Sequence, residues 1–238
     1  MNRLRVLSAC GLLAAAPVLA HAGASPCAIP ESTVAVVQAT LATVIHFPDG
    51  NGGIFKPNRM WSAIVDRHGT LCSVINSGND AWPGSRAIAI AKASTANDFS
   101  NSGLALSTAN LYAPTQPGGS LYGLNNSNPY NPLFDAQGLG VGLVPGGIIT
   151  FGGGVALYVN GNVIGGLGVS GDSSCADHAI AFRMRKLAGL DGTPAGVAPD
   201  NTDNIVYAAA NTAPAGFEQP HCFPHDLTPA QIEAIPQQ

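Results

Sequence analysis

The glycine-dense segment at residues 146–171 constrains the fold more than any other part of this chain. Within it, Asn160-Gly161 separates two apolar runs, and this dipeptide in such a setting is the strongest short signal for a β-hairpin. Asp172 or Ser173 then supplies a helix cap directly after the second run. The segment therefore predicts two antiparallel strands, over residues 147–159 and 162–169, that lead without a linker into a helix.

Hydrophobic periodicity places further helices and strands around this hairpin. The predicted elements are a helix over residues 31–47, strands over 60–66 and 70–75, a helix over 85–99, a helix from 172 or 173 to about 190, and a short helix over 228–235. Ser32, Ser85 and Thr228 are the predicted caps, and residues 101–110 are expected to add one or two helical turns. Hairpins joined by helices indicate a two-layer α+β domain, an antiparallel sheet with helices on one face.

Residues 111–145 are rich in proline, glycine and asparagine and show no periodic pattern. Loops of this length inside a domain are usually functional or form interfaces. Two interpretations remain, a cover over the core or a neighbouring subunit, and a lid over a ligand pocket. A glycine-rich run at 117–123 lacks the Lys-Ser/Thr ending of a phosphate loop, which argues against nucleotide binding. Large apolar side chains make the loop hydrophobic: Tyr112, Leu121, Tyr122, Tyr130, Leu133 and Phe134.

The first 22 residues have the pattern of a secretory signal peptide, with a basic start, an apolar stretch and the cleavage sequence Ala20-His21-Ala22. A lipoprotein cleavage box at residues 7–10 is the alternative. We therefore expect a periplasmic or secreted mature protein without a membrane anchor. Its expected organisation is a domain over residues 23–190 with an insertion at 101–145, followed by an irregular C-terminal extension over 191–238.

The charge pattern narrows the possible partners. Charged residues make up only 10% of the chain, and the formal net charge is −4. No run of Lys or Arg is present, so the sequence lacks the footprint of a protein that binds nucleic acid or an anionic membrane. A surface poor in charge is more typical of exported than of cytosolic proteins.

Four cysteines follow the predicted signal peptide: Cys27, Cys72, Cys175 and Cys222. An even number in an exported chain indicates disulfides, with three possible connectivities. We favour Cys175–Cys222 and Cys27–Cys72, because Cys27 and Cys222 lie in irregular ends of the chain that gain most from a crosslink. No CxxC or CxxCH motif is present, which excludes covalent c-type haem attachment and argues against zinc.

Four sequence blocks follow one another along residues 31–190. They are Trp61–Gly69 (WSAIVDRHG), Lys92–Ala96 (KASTA), the second hairpin with its closing GVSG, and Asp177 with Ala181. Together they resemble the GlcG/HbpS family of haem-binding proteins, which is related to the C-terminal domain of PduO-type proteins. The resemblance implies a PAS-like α+β fold, a homo-oligomer and, for some members, haem as the cofactor.

The chain departs from the shorter members of that family in several respects. It carries the long insertion and the C-terminal extension, and its predicted signal peptide places it outside the cytoplasm. It also has Cys175 and His178 at positions where the shorter members commonly have acidic residues.

The turn from the second hairpin into the last helix is the first candidate site. Free N–H groups after Ser170 and Gly171 favour an anion such as a carboxylate, a phosphate or a haem propionate, unless the glycines only permit close packing. His178, next to Asp177, is the candidate metal ligand, because a helix N-terminus favours the neutral imidazole. The alternative is a surface or hydrogen-bonded histidine.

Other candidates lie on the first two helices. Lys92 is a lone cation on an alanine-rich helix, available for an anionic ligand or for an ion pair with Asp66. Thr95 belongs to the same family-like block and joins the expected cofactor-binding residues. His46, near the end of the first helix, is the second candidate ligand.

A histidine pair and an arginine pair follow later in the chain. His221 and His225 flank Cys222 and form a further candidate for a shared metal site in the tail. Arg183 and Arg185 are expected on a solvated face near the end of the last long helix.

No GxSxG or HExxH motif is present, so neither a serine hydrolase nor a zincin is indicated. We expect an exported haem-binding protein for storage, sensing or delivery of a small-molecule ligand. One alternative is an enzyme that acts on haem or a small organic metabolite, with Lys92, Asp177 and His178 as its reactive groups. The other is a structural module without a ligand.

Overall fold

The structure is a computed structural model that describes residues 26–127 and 139–236. The predicted signal peptide lies outside the described residues, as do Tyr130, Leu133 and Phe134 of the long loop. The helices and strands, in chain order, are α1 Glu31–Val44, β1 Trp61–Asp66, β2 Leu71–Asn76, α2 Ser85–Asp98, α3 Tyr112–Thr115, β3 Gly154–Val159, β4 Asn162–Ser170, α4 Ser174–Leu187 and α5 Pro229–Glu233. No helix among the described residues is both long and apolar enough to cross a membrane.

The four strands form one antiparallel sheet in the order β2-β1-β4-β3. Both predicted hairpins are confirmed, since β1 pairs with β2 and β3 pairs with β4. The central pairing of β1 with β4 joins the hairpins and places Ile64 opposite Leu167. The turn of the second hairpin has positive φ at both Asn160 and Gly161, as a tight two-residue hairpin turn requires.

Helices lie on both faces of this sheet, which differs from the expected two-layer arrangement, although the α+β class and antiparallel pairing are confirmed. The larger core joins α1 and α4 to one face, where Ile64 and Leu167 point. The smaller core joins α2 to the opposite face, where Trp61 and Ala63 point. Side chains alternate along a strand, so both faces of β1 are covered and all six of its residues are buried.

The glycines of β4 explain how α2 approaches the sheet so closely. A Cβ atom at Gly168 would lie 2.0 Å from the carbonyl oxygen of Ala89, and one at Gly166 would lie 2.1 Å from that of Ala93. The alanine face of α2 therefore packs directly against the backbone of β4. This close approach accounts for the glycine density of the second hairpin.

Two of the predicted helix caps are confirmed. Ser173 caps α4 by accepting a bond from the Ala176 N–H, and Thr228 caps α5 in a capping box. The predicted caps Ser32 and Ser85 are wrong, because α1 starts directly after Pro30 and Ser85 is itself the first helical residue of α2.

Residues 101–110 do not extend a helix, which is a second correction. The side-chain oxygen of Asn101 accepts bonds from the N–H groups of Gly103 and Leu104. This local turn competes with helical hydrogen bonding, as asparagine commonly does.

Two disulfides connect distant parts of the chain, and both favoured pairings are confirmed. Cys27 bonds to Cys72, which fastens the N-terminal segment to β2. Cys175 bonds to Cys222, which fastens the first turn of α4 to the C-terminal extension.

Candidate functional site

Lys92 of α2 and Asp177 of α4 form a buried ion pair at the end of the sheet where β3 begins. Lys92 Nζ lies 2.6 Å from Asp177 Oδ2 and 3.1 Å from the carbonyl oxygen of Val169. Both side chains are buried, and the ammonium lies 5.0 Å from the centre of the Phe151 ring. Lys92 therefore pairs with Asp177 and not with Asp66.

Burial shifts the titration of both partners. Desolvation raises the pKa of Asp177 to about 6, although the charge of Lys92 and a bond from the Asp172 N–H act in the opposite direction. Desolvation also lowers the pKa of Lys92, against the attraction of the Asp177 carboxylate. The pair is held by its own geometry and is closed to solvent, so it acts as a structural connection between the helices on opposite faces.

The run Gly152-Gly153-Gly154 makes room for this pair. A Cβ at Gly153, whose φ is +123°, would lie 2.6 Å from Lys92 Nζ and 2.5 Å from the Val169 oxygen. A Cβ at Gly152 would lie 2.3 Å from the carbonyl oxygen of Ser174 in α4. The three glycines thus allow the chain to pass between the ends of the two helices.

The turn between β4 and α4 is filled by groups of the protein itself. The carboxylate of Asp172 accepts bonds from the N–H groups of Ile54 and Phe55 and from Asn58 Nδ2. Ser170 is buried, and a Cβ at Gly171 would lie 2.0 Å from the carbonyl oxygen of Arg59. In this arrangement the turn presents no open cradle for an external anion, and close packing is the better account of its glycines.

His178 lies in the core, without solvent exposure. Its Nε2 lies 3.0 Å from the N–H of Ile205 and 3.2 Å from Asn204 Oδ1, and its Nδ1 is buried without a partner. Burial lowers its pKa to about 4, so the ring is neutral near pH 7. The imidazole is therefore a hydrogen-bonded core group, and an external metal would reach it only after the segment at 203–205 moved away.

Thr95 lies one turn beyond Lys92 on α2 and is likewise buried. Its hydroxyl donates to the carbonyl oxygen of Ala91 and accepts from the N–H of Ile149. Thr95 therefore holds the segment before β3 against α2.

The arginines of α4 are buried, so the expected solvated face is wrong. Arg183 contacts Asp49 at 2.8 Å, and Arg185 contacts Asp203 at 2.5 Å. Both guanidiniums also donate to main-chain carbonyl oxygens, Arg183 to Ile232 and Arg185 to Ala156. Each charge is thus satisfied inside the protein, and α4 is enclosed by the C-terminal extension.

His46 is exposed and borders a cleft. Its Nδ1 lies 2.8 Å from the carbonyl oxygen of Ala42, so Nδ1–H donates and Nε2 carries the free lone pair. A metal-bound histidine usually has this same second hydrogen bond to a carbonyl oxygen. The cleft has a volume of about 230 Å³, and its other walls include Arg59, Asn58 and Asp80.

Aromatic and cationic groups continue from this cleft. The Arg59 guanidinium lies 5.7 Å from the centre of the Phe55 ring, and Phe55 in turn lies edge-on to Trp82. Trp82 is 58% exposed, which is unusual for a large aromatic side chain. Sequence reasoning missed Arg59 and Trp82, because no spacing rule connects them to His46 and the exposure of Trp82 is visible only in the structure.

A cavity of about 660 Å³ lies elsewhere, between the long loop and the C-terminal extension. Its lining is mainly apolar and includes Phe99, Leu111, Leu121 and Phe217. Part of the long loop therefore lines a pocket, which agrees with the interpretation of the loop as a lid over a ligand pocket. Among the residues that the structure describes, this lining contains no His, Cys, Met or Tyr.

Three likenesses to known proteins cover half or more of this chain. Corrinoid adenosyltransferase PduO of Salmonella typhimurium is 38% identical over 121 residues, which are 50% of this chain but only 29% of that enzyme. A crystal structure of a PduOC:haem complex is 26% identical, with a TM-score of 0.50 over 67% of this chain and 94% of the other. The Klebsiella pneumoniae protein ORFY is 24% identical, with a TM-score of 0.49 over 68% of this chain and 90% of the other.

A family model provides the most direct assignment. The model described as "Haem degrading protein HbpS-like" matches residues 56–185, from the loop before β1 through most of α4. This range contains the whole sheet, α2 and the Lys92–Asp177 pair. Since the match covers more than half of its residues, the chain belongs to the HbpS-like family.

Proposed function

We propose that this chain is an exported haem-binding protein that stores, senses or delivers haem. The observation that carries the proposal is the likeness of its fold, over 67% of the chain, to the PduOC:haem complex. Membership of the HbpS-like family supports the same ligand. Export is supported by the signal-peptide pattern of residues 1–22 and by the two disulfides, which persist in oxidising compartments.

The surface around His46 has the donor set that haem requires. A neutral imidazole with a free Nε2 is a common axial ligand of haem iron, and the bond to Ala42 uses Nδ1 of His46 and leaves Nε2 outside it. Arg59 is half exposed and forms an ion pair with Asp80, so a propionate would have to share the guanidinium with that carboxylate or displace it. Phe55 and Trp82 provide aromatic surface for the porphyrin ring. When bound, haem would supply an iron centre for redox and oxygen chemistry.

The size of the cleft constrains how haem would bind. Its volume of about 230 Å³ lies below the ~300–1,000 Å³ typical of pockets that enclose a drug-sized ligand. A bound porphyrin would therefore keep one face or edge outside the cleft. We infer that a second copy of the chain covers this part, which would connect haem binding with the expected homo-oligomer.

Titration with hemin tests the proposal and the ligand separately. The wild-type protein should give a Soret shift that saturates at one hemin per chain. His46→Ala should lose the spectrum of histidine-ligated iron, whereas His68→Ala should keep it, because His68 is exposed but lies outside the cleft. Absence of any shift in the wild type would refute haem binding, while an unchanged spectrum in His46→Ala would refute only the ligand assignment.

Export is tested by the position of the protein in the cell. The mature chain should be recovered from the periplasm or the medium, with its N-terminus at Gly23. Recovery of the uncleaved chain from the cytoplasm would contradict this part of the proposal.

Haem degradation is the second candidate function, and the description of the matching family model favours it. Lys92, Asp177 and His178 are buried in the core and cannot contact a surface-bound haem. Turnover would therefore depend on groups near His46. Incubation of the haem-loaded protein with peroxide decides between the two functions: loss of the Soret band with release of iron and an open-chain tetrapyrrole indicates an enzyme, and a stable band indicates a binding protein.

A further inference from the structure

A second cluster of metal-ligating side chains lies where the C-terminal extension meets α4. The sulfur atoms of Cys175 and Cys222 and a carboxylate oxygen of Asp226 lie within 4.8 Å of one another. His221 Nδ1 lies 3.4 Å from Asp226 Oδ2. The two sulfurs and the carboxylate can bind a zinc-type dication once the sulfurs are reduced. His221 contacts Asp226 but does not lie within 4.8 Å of both sulfurs, so its ring would have to turn toward them to complete the ligand set.

One carboxylate oxygen of Asp226 has no hydrogen-bond partner. Its side chain is fully buried, and its Oδ2 accepts bonds from the N–H groups of Cys222 and Phe223. Its Oδ1 is buried and has no hydrogen-bond partner. Within the described part of the chain, no Lys or Arg forms an ion pair with this carboxylate. A buried charged oxygen without a hydrogen-bond partner is costly in free energy. Such an atom in a native structure requires an explanation, and a bound ion is one.

A second orphan group lies close to the first. The hydroxyl of Tyr207 is buried without a partner, and its ring stacks on His221 with 4.0 Å between the ring centres. Two buried oxygens at this site, Asp226 Oδ1 and the Tyr207 hydroxyl, therefore lack a hydrogen-bond partner.

The surroundings of the Cys175–Cys222 disulfide make it easier to reduce than a disulfide without such donors. Cys175 is the second residue of the 14-residue helix α4, and its N–H donates to Cys222 Sγ at 3.2 Å. Ser174 Oγ lies 3.3 Å from the same sulfur, and Gln219 Nε2 donates to Cys175 Sγ at 3.5 Å. A helix N-terminus and N–H donors stabilise thiolates. Stabilised thiolates make a disulfide easier to reduce.

The other disulfide provides a natural comparison. Cys27 and Cys72 also lie within 4.8 Å of a carboxylate, that of Asp66. Asp66, however, is saturated by bonds from the N–H groups of Ala28, His68 and Thr70. This cluster lies between a loop and a strand rather than at a helix N-terminus. The two sites thus share composition and differ in the features that favour a metal.

We propose that reduction of the Cys175–Cys222 bond creates a binding site for a zinc-type dication, with Cys175, Cys222, Asp226 and His221 as ligands. A dithiol is the reductant: it delivers two electrons and two protons, is oxidised to its own disulfide, and leaves two cysteine thiols. Metal binding then releases the two thiol protons. Two thiolates and one carboxylate balance the charge of the dication to −1.

Titration with Co²⁺ tests this site, because cobalt bound to thiolates gives charge-transfer absorption and tetrahedral d–d bands. The protein is reduced with dithiothreitol, freed of it by anaerobic gel filtration, and compared with the oxidised protein. The reduced protein should bind one Co²⁺ per chain with these bands, and Zn²⁺ should displace it. The oxidised protein should show no such spectrum.

Paired variants locate the metal. Cys175→Ser/Cys222→Ser should abolish the Co²⁺ spectrum, and Cys27→Ser/Cys72→Ser should retain it. Asp226→Asn should weaken binding by at least about tenfold, since even indirect partners of a metal contribute that much. If the reduced protein unfolds, added Co²⁺ must restore its far-UV circular dichroism, as expected where metal binding is coupled to folding.

Three results would overturn the proposal. They are equal Co²⁺ binding by oxidised and reduced protein, persistence of the spectrum in Cys175→Ser/Cys222→Ser, and failure of the reduced wild type to bind or to refold with the metal.

Discussion

The Nζ atom of Lys92 lies 2.6 Å from Oδ2 of Asp177, and this pair connects two helices that pack on opposite faces of the sheet. The contact passes through the gap left by Gly153, where any side chain would collide with the ammonium. Because neither group reaches solvent, each charge depends on the other for compensation. The pair therefore stabilises the relative position of α2 and α4.

Removal of one partner should be more costly than removal of both. Asp177→Asn leaves the Lys92 ammonium uncompensated in the core and should lower the free energy of unfolding by about 3–5 kcal/mol. Lys92→Met/Asp177→Asn removes the buried charge and should recover part of that loss. Urea unfolding of the singles and the double variant measures the coupling; additive losses would contradict an obligatory pair.

Gly168→Ala tests the close approach of α2 to β4. The new Cβ would lie 2.0 Å from the carbonyl oxygen of Ala89, a distance that requires the helix to move. We expect a loss of at least about 3 kcal/mol, comparable with severe core overpacking. Gly192→Ala is the matched control, because no atom lies within 4 Å of its added Cβ, and its stability should change little. Similar melting temperatures for the two variants would show that α2 is free to shift.

The buried His178 should make stability depend on pH. Its pKa is about 4 in the folded protein against 6.5 for the free side chain, so the unfolded chain binds more protons between these values. Stability should therefore fall as the pH decreases from about 6.5 to 4, by up to ~3 kcal/mol.

Asp177 has the opposite effect on stability in part of this pH range. Its pKa is raised to about 6, so the folded state binds this proton at a higher pH than the unfolded chain does. The His178 effect is therefore measured as the difference between wild type and His178→Gln, by urea unfolding at pH 7.5 and 4.5. A constant difference across this range would contradict a neutral buried imidazole.

Arg59 should bind haem through a propionate. Arg59→Gln should weaken hemin binding by about tenfold, the loss expected for one half-exposed charge-assisted contact. Hemin dimethyl ester has no propionate charge, so its affinity should be the same for wild type and Arg59→Gln. Fluorescence quenching of the exposed Trp82 reports both titrations. Equal effects of the substitution on the two ligands would place Arg59 outside the propionate contact.

The hairpins and the last helix could be predicted because their signals are local. Asn160-Gly161 determines a turn through its positive φ angles, and Ser173 caps α4 through its own hydroxyl. The disulfide partners are also predicted correctly, since the even number of cysteines and the irregular chain ends restrict the choices. These features depend on few residues that are close in sequence or on general chemistry.

The position of α2 and the environment of α4 could not be predicted in the same way. The alanine-rich α2 has no distinct apolar stripe, so its pattern does not indicate which sheet face it covers. Arginine is usually found on the solvent-exposed face of a helix, so the sequence does not indicate that Arg183 and Arg185 are buried. Their partners Asp49 and Asp203 come close to them only in the tertiary fold. His178 is similar, because Asn204 and Ile205 arrive from the C-terminal extension.

The C-terminal extension has a consequence for the order in which the protein can mature. During synthesis α4 emerges from the ribosome before the residues that bind its buried polar groups. These partners are Asp203, which pairs with Arg185, Ile205, whose N–H bonds to His178, and Cys222, which forms the disulfide with Cys175. Chains grow at about 5–20 residues per second, so these groups wait several seconds for their partners. The domain therefore completes its core only after the last residues have been delivered, and a nascent chain stalled before residue 203 would remain a substrate for chaperones and proteases.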